Sequence, residues 1–299
     1  MQRTAYLLLL LTALFWGGNS IAGKLAIGHV SPMMLVFLRW VMAVLILLPI
    51  SWSRFREDWP VVRKHLILLL LLGACGFTLF NVIFYTALHY TTAINVSIEQ
   101  AGMPIVIILA NFLFFRARVS WLQITGVVLT ILGVVLTASH GDPRRLLMLE
   151  VNFGDAIMLI AVLLYSGYAV GLRIKPAMHW QSLILSLSIA ALLVSVPFAV
   201  WEIASGAAIF PDTKGWIITF YTALFASVIS QVFFIRGNEM IGANRAGVFI
   251  NLVPIFGSLL SVMILGEAFQ LYHGLALVLV LGGIWLAERS GRAMARPLE

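Results

Sequence analysis

The stretch Ala13–Pro49, ALFWGGNSIAGKLAIGHVSPMMLVFLRWVMAVLILLP, decides the architecture because the chain contains it twice in altered form. At an offset of 148 positions, Ala161–Pro197 reads AVLLYSGYAVGLRIKPAMHWQSLILSLSIAALLVSVP, and Ala13, Gly23, Leu35, Ala43, Leu45 and Pro49 meet identical residues there. At an offset of 150, Asn81-Val82-Ile83-Phe84 falls on Gln231-Val232-Phe233-Phe234, Ala93 on Ala243 and Pro104 on Pro254. Ordered agreement of apolar blocks, loops and prolines over such a distance marks a duplicated unit.

The repeated unit is a membrane unit. Of the 299 residues, 62% are hydrophobic and only 10% charged, against roughly 25% charged in a soluble domain. So few charges cannot cover a water-soluble globule of this length, and lipid must be the solvent for much of the surface. A helix needs about 20 apolar residues to cross the hydrocarbon core. Spans are expected at 5–27, 32–51, 65–88, 92–115, 119–138, 153–172, 179–201, 215–236, 243–265 and 270–288. The fold expected is all-α integral membrane: ten transmembrane helices in two five-helix repeats. The first covers 1–140 and the second 153–290, with a linker at 141–152 and a tail at 291–299. The apolar run after Arg3 continues past Gly23 with no evident cleavage site, so it reads as an uncleaved first span.

Charge placement sets the orientation. With the N-terminus cytoplasmic, Arg3, Arg54, Arg56, Arg63, Lys64, Arg116, Arg118, Arg173, Lys175, Arg236, Arg289, Arg292 and Arg296 lie inside, and Lys24, Arg144, Arg145 and Lys214 outside. That is a firm positive-inside bias, and it accounts for the net charge of +7 without nucleic acid. Because each repeat has an odd number of spans, the second enters the bilayer from the opposite side. Such inverted-topology repeats are common in secondary transporters.

Ionisable side chains inside a span usually have a partner or line a wet cavity. Arg39 and Glu99 stand out. With Asn19 and Asn81 they come from four spans yet fall at one depth, roughly 10–12 Å below the outer surface at 1.5 Å per residue. They are expected to line a solute cavity or its gate, with an Arg39–Glu99 pair that opens in use, or else to form a structural knot. The inverted repeat places Gln231 and Asn251 in a matching layer near the cytoplasm. Trp16, Tyr85, Tyr165 and Tyr168 lie within spans, where some could touch a solute and others pack. Gly102, Pro104 and Pro254 are expected as helix hinges, since a mid-helix proline removes a backbone donor. Trp52, Trp59, Trp121, Trp180, Trp201 and Trp216 read as an interfacial belt, and Asn244 and Arg245 as a snorkelling pair.

On several features the sequence resembles the drug/metabolite transporter superfamily in its ten-helix form with two EamA-type domains. These are Phe15-Trp16 with Asn19 and Lys24, Arg39, the prolines Pro104 and Pro254, Leu265-Gly266-Glu267, and the glycines Gly126, Gly133, Gly274 and Gly282. The resemblance implies a carrier without cofactor or ATPase parts, residing in a bacterial inner membrane and exporting or exchanging small metabolites, often amino acids. It departs from internal symmetry where Leu187 occupies the counterpart of Arg39 and Arg118 lies near that of Glu267.

No P-loop, HExxH or pair of intramembrane carboxylates is visible, so ATP drive and an intramembrane enzyme both lack their parts. The lone Cys75 excludes an internal disulfide and a multi-cysteine metal site. Alternatives within transport are an efflux carrier for lipophilic cations, disfavoured because the first span offers Lys24 and no acid, and a nucleotide-sugar-type exchanger. The expected partners are the bilayer and a small solute, with Glu99 the group that proton coupling would use. The chain is read as a monomer or weak homodimer.

Overall fold

A computed structural model describes residues 2–116, 120–142, 152–241, 246 and 249–294. The expected linker and tail lie largely outside these, as do Arg118, Ala243, Arg144, Arg145, Asn244 and Arg245. All regular structure among the described residues is helical: α1 (Gln2–Leu25), α2 (Pro32–Glu57), the short α3 (Trp59–Lys64), α4 (Leu66–Ala87), α5 (Ala93–Gln100), α6 (Met103–Phe115), α7 (Trp121–Ala138), α8 (Phe153–Gly171), α9 (Trp180–Ala204), α10 (Thr213–Ile241), α11 (Val253–Leu265) and α12 (Leu271–Met294). Among them, eight segments are long and apolar enough to cross a membrane, counting α5 and α6 as one. Val253–Leu265 and Leu271–Leu286 are shorter apolar helices.

These runs are helical because lipid offers the backbone no hydrogen-bond partner, so each span must satisfy its own. Their outer faces carry Leu45, Ile67, Phe114, Leu193, Ile217 and Val278, all well exposed. In water so much apolar surface would aggregate; in a bilayer it is solvated. Trp52, Trp59, Trp121, Trp201 and Trp216 are exposed near span ends, as an interfacial belt requires.

Packing repeats with the sequence. Helix α1 lies on α10 and α11, and its counterpart α8 lies on α4 and α6. Further large contacts are α2 with α9, α4 with α9 and α7 with α12. Even an irregularity recurs: α4 widens into a π-helical turn at Ala74–Leu79 and α10 at Thr222–Ile229, with starts 148 residues apart. A π turn shifts every later side chain around the helix axis, and such turns gather at functional sites.

Helices α2 and α9 run antiparallel and cap each other. The Glu202 carboxylate, at the end of α9, accepts from Ser31 Oγ (2.6 Å), Met33 N (3.3 Å) and Met34 N (2.8 Å) at the start of α2. At the other end Asp58, just past α2, accepts from His179 N (2.8 Å), where α9 begins. Each carboxylate satisfies otherwise unpaired amides and meets the positive end of a helix dipole.

The prolines differ from expectation. Pro104 and Pro254 are not mid-helix kinks but second residues of new helices. The chain turns at Ala101–Gly102 between α5 and α6, and at Asn251–Leu252 before α11. In a first turn the missing proline N–H is unneeded. The spans are therefore interrupted where sequence alone suggested bending.

Helices α1 and α11 touch backbone to backbone at Gly17. A Cβ there would sit 2.8 Å from Gly257 N and 3.0 Å from Phe256 Cβ. Gly17→Ala is expected to destabilise the protein by about 1–3 kcal/mol through overpacking, read as a lower melting midpoint in detergent. An unchanged midpoint would mean that α1 and α11 can separate freely.

Candidate functional site

Four helices converge on Arg39. Its side chain, 5% exposed, leaves α2 and sends Nε to Ser227 Oγ (2.6 Å) on α10. Nη1 donates to Tyr85 OH (2.6 Å) and Asn81 Oδ1 (2.8 Å) on α4 and reaches Asn19 Oδ1 (3.4 Å) on α1. Tyr85 OH donates in turn to Asn19 Oδ1 at 2.8 Å.

The π turns place these partners. Ser227 Oγ donates five residues back to Thr222 O at 2.9 Å, a reach that the wide turn allows, and so presents its lone pairs to Arg39. Asn81 follows the matching turn in α4 and holds its amide to Phe77 O, leaving Oδ1 for the guanidinium.

An aromatic wall extends from the site. The Arg39 Cζ atom lies 5.3 Å from the Trp40 ring centroid. Trp40 stacks on Phe77 at 4.8 Å, Phe77 meets Tyr168 at 5.6 Å, and Tyr165 joins Tyr168 (5.3 Å) and Phe80 (5.0 Å). All hydrogen-bond partners of Arg39 are neutral, and no carboxylate pairs with it among the described residues.

The expected Arg39–Glu99 pair does not form. Glu99 is fully buried, and both its carboxylate oxygens lack a hydrogen-bond partner among the described residues. The expected depths are equal, but the two side chains leave different helices, and depth carries no azimuth. Trp16, Gln231 and Asn251 are not among the hydrogen-bond partners of Arg39. Trp16 packs on Phe234 at 5.5 Å, Gln231 is half-buried on α10, and Asn251 sits in the turn before α11.

Sequence reasoning missed Ser227, and it missed a second polar cluster at the start of α5. There Asp155, fully buried on α8, accepts from Thr91 Oγ1 and lies 3.4 Å from Asn95 Nδ2. His140 Nε2 is 3.2 Å from Asp155 Oδ2, and His273 Nε2 is 3.1 Å from Asn95 Oδ1. These residues stand at span ends, where hydropathy assigns them to the interface.

Two charged residues beside this cluster serve helix ends. Lys24 Nζ donates to Leu88 O (2.6 Å) and Thr91 O (2.7 Å) after α4. Glu267 accepts from Ala93 N (2.9 Å) and Ile94 N (3.0 Å) at the start of α5. Gly266, with φ +67°, supplies the left-handed turn that aims Glu267 there.

Asp212, in the loop before α10, joins that loop to the α1–α2 turn through His29 Nδ1 at 2.7 Å. The Gly215 amide, then the His29 ring, hold its carboxyl below the usual aspartate range. A lowered folded-state value stabilises above the unfolded value and is lost as pH falls through the folded one. Acidification into that window is expected to loosen the loop, seen as faster limited proteolysis there, with Asp212→Asn already loosened at neutral pH. Equal, pH-independent cleavage of both proteins would refute it.

Comparison with known proteins adds the following. The family described as "EamA-like transporter family" matches residues 3–139 and again 152–288. Among similar proteins, an uncharacterized transporter of Archaeoglobus fulgidus is 26% identical, covering 96% of this chain and 98% of its own. The uncharacterized transporter YetK of Bacillus subtilis is 24% identical over 95% of this chain and 87% of its own. The uncharacterized inner membrane transporter YicL of Salmonella typhimurium is 23% identical over 98% of both. A crystal structure of a protein aligns with a TM-score of 0.64 at 16% identity, covering 99% of this chain and all of that one, which speaks to the fold alone.

Proposed function

The chain belongs to the EamA-like transporter family, so it is a membrane transporter rather than an enzyme, and we propose that it is a secondary carrier for amino acids or closely related zwitterions, working by alternating access. The observation that carries the reading is Arg39: a buried guanidinium with four neutral partners and no counter-ion among the described residues. Nη2 has no acceptor among them either. A planar, permanently charged fork with a free edge matches a carboxylate. The adjoining wall of Trp40, Phe77, Tyr168 and Tyr165 offers apolar contact for a side chain.

On this reading ten spans form two inverted five-helix halves, 1–140 and 153–290, joined by the linker at 141–152, with the tail 291–299 and both termini in the cytoplasm of a bacterium. The positive-inside count, the 148-residue recurrence of π turns and the reciprocal caps of α2 and α9 support it. Trp16, Gln231 and Asn251 are assigned to the inner part of the path. The interruptions at Gly102–Pro104 and before Pro254 are assigned as its hinges. Glu99 is assigned to proton coupling, export is the proposed direction, and the working unit is a monomer or weak homodimer.

Efflux of lipophilic cations fits less well, because a fixed positive charge at the site repels them. The test is counterflow of labelled amino acids into proteoliposomes holding the purified protein. Saturable, competed exchange supports the proposal. Its absence, with organic cations or nucleotide sugars exchanging instead, overturns the substrate class.

A further inference from the structure

The cluster at the start of α5 holds several titratable groups that the Arg39 site does not use, and Glu99 lies just beneath it. Asn95 and Glu99 are four residues apart on α5, so they share a face and are separated by about 6 Å along the axis. An ionised carboxylate buried without any partner costs several kcal/mol, whereas a carboxylic acid is tolerated far better. What such a site takes up is a proton. We propose that His140 and Asp155 form a proton-entry site serving Glu99, separate from the Arg39 cluster, so that solute and proton follow different polar faces of the protein. This rests on the carrier reading given above.

The parts are arranged for that task. His140 is the accessible end, with its side chain 28% exposed, and Asp155 is wholly enclosed. His140 adopts φ +52°, the left-handed turn that ends α7, with its amide on Thr137 O and that of Gly141 on Leu136 O. That turn carries the imidazole off the helix to a place beside Asp155.

His273 sets the orientation of the relay. Its Nδ1 accepts from Gln270 N at 2.9 Å, so its Nε2 carries the proton and donates to Asn95 Oδ1. That contact turns the Asn95 amide nitrogen toward Asp155.

The charged or titratable groups around α5 are Lys24 from α1, His140 after α7, Asp155 on α8, Glu267 after α11 and His273 on α12. Lys24 and Glu267 are tied to helix ends.

The transfer balances as one proton in and one out, with no change of oxidation state. A proton from the outer phase adds to His140 Nδ1, next to the Tyr272 hydroxyl at 3.5 Å. The resulting imidazolium passes its Nε2 proton to Asp155 Oδ2. Asn95, beside Asp155, is one helical turn from Glu99, and the proposed path crosses that step through one water molecule. Release to the other side follows when the chain moves at the Ala101–Gly102 break, directly below Glu99.

The test is infrared spectroscopy of the purified full-length protein in lipid, following the carboxylic-acid C=O stretch and its exchange in D2O. A protonated-carboxyl band is expected in the wild type and should be lost in Glu99→Gln. His140→Gln and Asp155→Asn should each keep the band but slow its exchange by about a hundredfold, the size of effect that removal of a proton-transfer group gives. Asp155→Asn retains acceptors for Thr91 and Asn95, so it checks the result in a variant that keeps the packing. A band unchanged in Glu99→Gln overturns the site, and exchange unaffected by both relay variants overturns the path. Amino-acid counterflow in the same vesicles judges the carrier reading by itself, so the two can fail separately.

Discussion

Arg39→Lys is expected to leave the protein folded while lowering amino-acid counterflow by between about tenfold and a hundredfold. The loss corresponds to one charge-assisted hydrogen bond, roughly 1.5–3 kcal/mol. Arginine spans the site because Nε reaches Ser227 on α10 while Nη1 reaches Tyr85 and Asn81 on α4. A lysine ammonium is one point and cannot hold both helices and also offer a free edge to a carboxylate. Arg39→Gln removes the charge as well and should abolish counterflow. It should also lower the melting midpoint, since Asn19, Asn81 and Tyr85 lose their common donor. The decisive comparison is counterflow per folded protein against melting midpoint. If Arg39→Lys melts lower but exchanges normally, the arginine is a structural knot and the proposed solute contact is wrong.

Glu202→Ala should be the largest single loss of stability, about 2–4 kcal/mol. The substitution leaves Ser31 Oγ and the amides of Met33 and Met34 without their acceptor, at the positive end of α2. Glu202 is itself only 4% exposed, so water replaces it poorly. Glu202→Gln keeps an acceptor oxygen but no charge and should fall between the two. Thermal unfolding in detergent, followed by tryptophan fluorescence, would show the ranking wild type, Gln, Ala. Equal midpoints for all three would mean the α2 terminus is solvated in the working protein.

Eight of the ten expected spans coincide with helices long and apolar enough to cross a membrane, because a membrane imposes one strong rule: about 20 apolar residues with every amide paired. The other two, 243–265 and 270–288, meet the shorter apolar helices Val253–Leu265 and Leu271–Leu286. The repeat was also legible, since the offset between Ala13–Pro49 and Ala161–Pro197 is the one at which the π turns of α4 and α10 begin. Asn19, Arg39 and Asn81 could be grouped from depth alone, and the structure joins them. Glu99 shared that depth and still lies elsewhere.

By itself, then, the sequence determined that the chain is a helical membrane protein, where most of its apolar helices run, and that it is built twice. Hydropathy and counting along a helix report position along one axis. Only the tertiary structure decided which polar groups meet. A side chain's direction depends on rotation about its helix, and two π turns change that rotation without a clear mark in composition. Only it could show that Ser227 completes the Arg39 site and that Pro104 and Pro254 open new helices. Likewise, Asp155, His140 and His273, spread across more than 130 residues of chain, become neighbours only when α5, α7, α8 and α12 pack together.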